Sequence, residues 1–251
     1  SVLDVPFRSM AGITTALISE AWKDRNLKKI EELYKKTSLN LLVLGMGLFG
    51  ILYLCIDDLI RFLPHGKGYE AIKIYFLIKA IAKLVDLGLG MNAQILLLSK
   101  YWRIDFYTSA AFIFVNVVLD YVLIKRFGVI GAAYGSSIAL VFYNLMRYFY
   151  LWKLFRIQPF GPKTLIAVAL AAIVFFAIYF IPYTGNLYID AIFRAALFSA
   201  LYAFVVIYFR ISEDISAIYH ATVNKFFRKN SNQKQFFILL CHKYKGDRLC
   251  I

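Results

Sequence analysis

The chain has 251 residues, of which 61% are hydrophobic, and a mean hydropathy of +0.65. Several apolar runs are long enough to span a bilayer, which excludes a soluble domain and indicates a polytopic membrane protein. The formal charge of +14 would suggest nucleic acid in a soluble chain, but here the first explanation is basic residues held on the inner side of a membrane.

Ser1–Ser19 reads as the second half of a membrane helix, with Pro6 kinking or starting it and Arg8, Gly12, Thr15 and Ser19 on one face. Arg8 is either a cavity residue or one that snorkels to the interface. The chain opens on Ser rather than Met and shows no signal peptide, so it reads as the C-terminal part of something longer. Glu20–Ser38 mixes charges with Trp22, Leu27, Ile30, Leu33 and Tyr34 at helical spacing, which predicts an amphipathic helix lying at the interface. Leu39–Ile56 predicts a clean span whose Gly45, Gly47 and Gly50 permit close helix contact. Asp57–Tyr69 is the turn that follows, broken by Pro64, Gly66 and Gly68, with His65 as a solvated loop residue.

Gly68–Leu98 predicts a helix of roughly 45 Å, longer than the ~30 Å hydrocarbon core. At 100° per residue Tyr75, Lys79, Lys83, Asp86, Gly90 and Gln94 share one arc, while the rest is apolar apart from Lys73 and Asn92. A charge at the bilayer centre costs about 2.5–3.5 kcal/mol, so this stripe faces other helices or a wet cavity. Lys83 and Asp86, three apart, can pair and pin two helices together. Alternatively, two lysines against one aspartate leave a net-positive seam suited to an anionic ligand.

SKYWRID is a short turn, and Phe106–Ile124 is a further span with Ser109, Asn116 and Asp120 on one face. Asp120 is either a cheap carboxylate near a membrane end or a proton or cation site. After a turn at Lys125–Gly128, Val129–Leu154 opens with a GxxxG pattern, Gly131 to Gly135, that signals close packing, and Asn144 and Arg147 polarise its later half. Trp152–Lys163 is a basic turn. Thr164–Ile181 and Ala191–Phe209 are two nearly uniform apolar spans, peripheral and lipid-facing, with Arg194 able to snorkel. Arg210–Ile251 is a basic, aromatic tail.

If Glu20–Ser38 is cytoplasmic, the inside segments carry 20 Lys and Arg and the outside turns carry 4. The inverted arrangement would reverse that bias, so six full spans, one partial span and a cytoplasmic C-terminus follow. Cys55, Cys241 and Cys250 form no ligand spacing, and no phosphate-loop, dinucleotide or HExxH motif occurs. The outer turns are too short to hold a sugar acceptor. The expectation is a non-enzyme without metal or cofactor, driven by a gradient or the membrane potential.

Three stretches carry a resemblance. VPFRSMAGITTALISEAWKDRNLKKIEELYKKTSLN, DLGLGMNAQILLLSKYWR and FGVIGAAYGSSIALVFYNLMRYFYLWKLFRIQPF resemble segments of the polysaccharide or oligosaccharide-lipid flippases of the MATE-like exporter superfamily. They cover roughly Val5–Phe160. The resemblance implies an all-α, polytopic transmembrane bundle: the C-terminal lobe of a two-lobed transporter plus two extra helices. Residues 1–163 would be the partial lobe, 164–209 the additional spans and 210–251 a cytoplasmic tail, with an N-terminal lobe missing. The implied cargo is undecaprenyl-diphosphate-linked oligosaccharide, flipped from the cytoplasmic to the outer leaflet of a bacterial cytoplasmic membrane for surface polysaccharide or lipopolysaccharide synthesis.

On that footing Lys79, Lys83 and Arg8 form a cationic cavity for the lipid diphosphate, since Lys holds phosphate as a point charge. Asn92, Gln94, Ser109 and Asn116 meet sugar hydroxyls, and Asp86 or Asp120 couples an ion. One lobe rocks against the other around a fixed site. The rivals are a drug or cation antiporter of the same fold, a membrane glycosyltransferase or polymerase, and a scaffold.

Overall fold

The computed structural model describes residues 2–57, 60, 70–181 and 187–212. Most of the turn predicted over 57–69, with His65, lies outside the described residues, as do the link at 182–186 and the tail from 213, with Cys241 and Cys250. A 3₁₀ turn at Val2–Asp4 leads into α1 (Val5–Lys23), α2 (Leu27–Leu54), α3 (Glu70–Leu89), α4 (Asn92–Leu97), α5 (Trp102–Phe127), α6 (Val129–Phe155), α7 (Pro162–Tyr179) and α8 (Leu187–Tyr208). The described residues contain no strand.

Five of these helices, α2, α5, α6, α7 and α8, are long and apolar enough to cross a membrane. That is the composition of a membrane-embedded chain. The sixth span expected from the sequence, α3, is 20 residues long, about the ~30 Å needed. Its lysines and Asp86 make it polar on one face, and it falls outside that apolar set.

The helices stand in a row. The α7–α8 pair packs on α2, α2 on α3, α3 on α6, and α6 on α5, while α1 leans on α2 and α4. Backbone chemistry sets the joints. The amphipathic stretch 20–38 does not form its own interfacial helix. It divides at Asp24–Asn26, where Arg25 takes a left-handed φ of 51° and the Asn26 side chain caps α2 by accepting from Lys29 N at 3.0 Å. Its apolar face, Ile30 and Tyr34, is buried in a cluster with Ile18, Leu87, Met91, Ile95 and Leu151. The charges at Glu20, Lys29 and Lys35 remain on the surface in ion pairs.

The long charged helix is also broken. Gly90 adopts φ +60°, donating its N–H to the Asp86 and Leu87 carbonyls, and a Cβ there would collide with Ser38. Only glycine accommodates both the left-handed cap and that approach. Gln94 therefore sits on a separate short helix rather than continuing the stripe.

The α5–α6 hairpin turns on Gly128 alone, tighter than the four-residue turn expected. A Cβ at Gly131 would strike the Leu123 carbonyl, and one at Gly135 would strike Asp120. The GxxxG pattern thus packs α6 against α5 at backbone distance. The α7–α8 pair packs on α2 through a specific inner face. Phe198 stacks over Gly50, and the Tyr202 hydroxyl donates to the Val43 carbonyl at 2.8 Å. Arg194 does not snorkel outward: it is buried, with Nη2 donating to the Ile181 carbonyl at 2.5 Å.

Candidate functional site

The polar face of α3 packs between the N-terminal 3₁₀ turn and α6. One helical turn separates Lys79 from Lys83, and Asp86 follows three residues on, so all three project to the same side. Lys83 Nζ lies 2.5 Å from Asp86 Oδ2 and 2.5 Å from Asp4 Oδ1. The other Asp86 oxygen accepts from Asn144 Nδ2 at 2.8 Å, and Asn144 Oδ1 accepts from Asn92 Nδ2 at 3.1 Å. Asn92 and Asn144 are each 2% exposed. A continuous polar chain, Asp4–Lys83–Asp86–Asn144–Asn92, thus ties the 3₁₀ turn, α3, α6 and α4 together. Buried polar groups in an apolar surround are tolerable only when paired in this way.

The pairing of Lys83 with Asp86 is present, and Asp4 adds a second carboxylate. With Lys79, the seam holds two ammonium groups and two carboxylates, so it is not the net-positive stripe the α3 sequence predicts.

Lys79 differs from Lys83. Its Nζ donates to the Ser136 hydroxyl, which in turn donates to the Ala132 carbonyl at 2.5 Å. Among the described residues no carboxylate pairs with it. Lys79 and Lys83 line a cleft of about 500 Å³ together with Asp4, Tyr75, Ile72 and Leu140. The walls mix an ammonium, an ion pair, a phenol and alkyl surface.

Two further polar sets lie between α5 and α6. Asn116 and Asp120, four apart on α5, each bury an Oδ1 without a hydrogen-bond partner among the described residues, and the Asp120 oxygen faces Gly135 of α6. Nearer the other end, Arg147 Nη2 lies 2.5 Å from Asp105 Oδ1 and 3.2 Å from Ser109 Oγ. The Arg147 guanidinium sits 3.9 Å over the Tyr143 ring, and Ser109 Oγ is 3.2 Å from the Tyr143 hydroxyl. Ser109 is therefore held within a helix clamp, and Asn92 within the seam. Gln94 Oε1 is buried without a partner on α4. Arg8 is exposed on α1 and does not line the cleft.

The sequence reading missed Asp4, Asn144 as the bridge to Asp86, and the Asp105–Arg147 pair. The spacing of Asp105 with Ser109 on one helix, and of Asn144 with Arg147 on another, was the only trace of the last two. What the fold and site define together is a membrane-embedded helical bundle with a charged seam opening on one cleft. No protein family, curated protein or solved structure matches the chain.

Proposed function

We propose that the chain is the C-terminal lobe of a MATE-like flippase that moves an undecaprenyl-diphosphate-linked oligosaccharide from the cytoplasmic to the outer leaflet of a bacterial membrane by alternating access. The observation that carries this reading is Lys79: an ammonium inside an apolar bundle, opening on a cleft of about 500 Å³ and held by a hydroxyl instead of a carboxylate. Intramembrane ionisable groups mark substrate or ion paths, and a lysine without a carboxylate retains charge for an incoming diphosphate. Tyr75 lies beside it for sugar or phosphate hydrogen bonds. Lys83 takes a supporting part, because Asp4 and Asp86 already offset its charge. Asp120, whose buried Oδ1 has no hydrogen-bond partner among the described residues, is the residue proposed to couple an ion, in preference to Asp86, which is engaged by Lys83 and Asn144.

The two carboxylates on Lys83 favour a second reading, a drug or cation antiporter of the same fold, since they leave the seam neutral overall. The two readings separate on Lys79→Ala and Asp120→Asn in the full-length protein in cells. A flippase loses surface polysaccharide with Lys79→Ala at unchanged protein level. An antiporter keeps polysaccharide, and Asp120→Asn lowers drug resistance. Normal polysaccharide in the Lys79→Ala strain would remove the flippase reading.

A further inference from the structure

On the side of α3 away from Lys79 lies a second cleft, of about 520 Å³, bounded by α2, α3, α6 and the start of α7. Leu42, Met46, Leu84, Gly88, Leu145 and Val168 are among its walls, and it presents no polar surface. It continues into a space of about 270 Å³ with which it shares Met46, Ile81, Leu84 and Val168. The two together form an apolar trough along the length of α3.

One end of this trough is chemically marked. Leu145 lines it, and Phe149 and Trp152 extend the same α6 stripe at i+4 and i+7, about 10 Å further along the helix. Both rings are exposed, 51% and 44%. A cation is folded back over each. Lys153 Nζ lies 6.0 Å from the Phe149 centroid, and the Arg156 guanidinium 5.7 Å from the Trp152 centroid. The 156–161 segment then crosses to α7, and its Phe160 and Gly161 close that end of the trough. Aromatic rings carrying exposed Lys and Arg at the end of an apolar helix are the chemistry of a headgroup layer.

We propose that this trough is a binding site for one resident anionic phospholipid. An acyl chain lies along α3 between α2, α6 and α7, and the headgroup phosphate rests on Lys153 and Arg156. Charge complementarity selects the occupant. A trough that presents no polar surface takes a hydrocarbon chain, and Lys153 and Arg156, on and just past the end of α6 beyond Leu145, supply two cations for an anionic head. The site is separate from the Lys79 cleft and does not depend on what that cleft transports.

The test uses the full chain, purified in mild detergent and placed in nanodiscs of phosphatidylglycerol or phosphatidylcholine. Retained lipid is then counted by native mass spectrometry. The expected result is about one phosphatidylglycerol per chain, held in preference to phosphatidylcholine, with the preference falling roughly tenfold in the Lys153→Gln/Arg156→Gln double variant. Both side chains are on the surface, so helix content and unfolding midpoint in detergent should match the wild type. Gly88→Phe, which fills the trough, should abolish retention of either lipid. Equal retention of the two lipids by the wild type would overturn the proposal, as would unchanged preference in the double variant. Thermal protection by inorganic phosphate equal to that by phosphatidylglycerol would also overturn it, because it would make the trough irrelevant.

Discussion

At the residue scale, the seam depends on who is left without a partner. Removing Lys83 takes the ammonium from two carboxylates at once, Asp4 and Asp86, in a mostly apolar surround, whereas removing Asp86 leaves Lys83 with Asp4 and Asn144 Nδ2 with the Leu140 carbonyl. Lys83→Met is therefore expected to cost about 3–5 kcal/mol and Asp86→Ala about 1–3 kcal/mol. Unfolding midpoints in detergent check the order, and an equal or reversed pair would show that Asp4 does not share the lysine. Gly90→Ala places a Cβ at φ +60° and against Ser38, so it should lower stability by more than the roughly 1–2 kcal/mol of left-handed strain alone. The Lys83–Asp86 pair was legible because three-residue spacing is local. Asp4 was not, because nothing in a periodicity brings residue 4 to residue 83.

At the element scale, α5 is held mainly by α6. It packs on α6 and on the short α4, and most of its remaining surface is exposed apolar side chain. The α5–α6 contact rests on backbone approach at Gly131 and Gly135 and on the Asp105–Arg147 clamp. Gly131→Leu should force the helices apart and abolish the folded species, read as loss of the monodisperse peak on size exclusion. Asp105→Asn should keep the fold with a lowered midpoint, because the side-chain shape survives and the charge facing Arg147 does not. Helix existence and the GxxxG contact were readable from composition and spacing. The joints were not. Asp24–Asn26 and Gly90–Met91 interrupt sequences whose hydrophobic period runs straight through, and only backbone conformation at Arg25 and Gly90 ends the helices there.

At the scale of the whole molecule, the sequence predicts that basic residues concentrate in alternate connections between the spans. Single cysteines introduced at Arg25 and Gln158 in a cysteine-free background should react with a membrane-impermeant maleimide from the same side, and one at Gly128 from the opposite side. Labelling of all three from one side would break the alternation of spans. The apolar runs that become α2 and α5 to α8 were legible because bilayer thickness imposes a length on each. Their neighbours were not. That α3 faces α6 rather than α5, and that the last pair leans on α2, follows from side-chain fit such as Phe198 against Gly50, which no single helix encodes.

The one-residue turn at Gly128 also has a consequence for biogenesis. Asp120 packs against Gly135 of α6 and Asn116 lies one turn before it, so a freshly made α5 would meet lipid with an amide and a carboxyl unmasked. The ribosome must therefore deliver the next 25 or so residues before that segment can settle, and the two helices should leave the insertion machinery together as a single unit. Stopping synthesis just after Gly128 should leave α5 extractable by alkali, and extending the nascent chain past Arg147 should render it resistant.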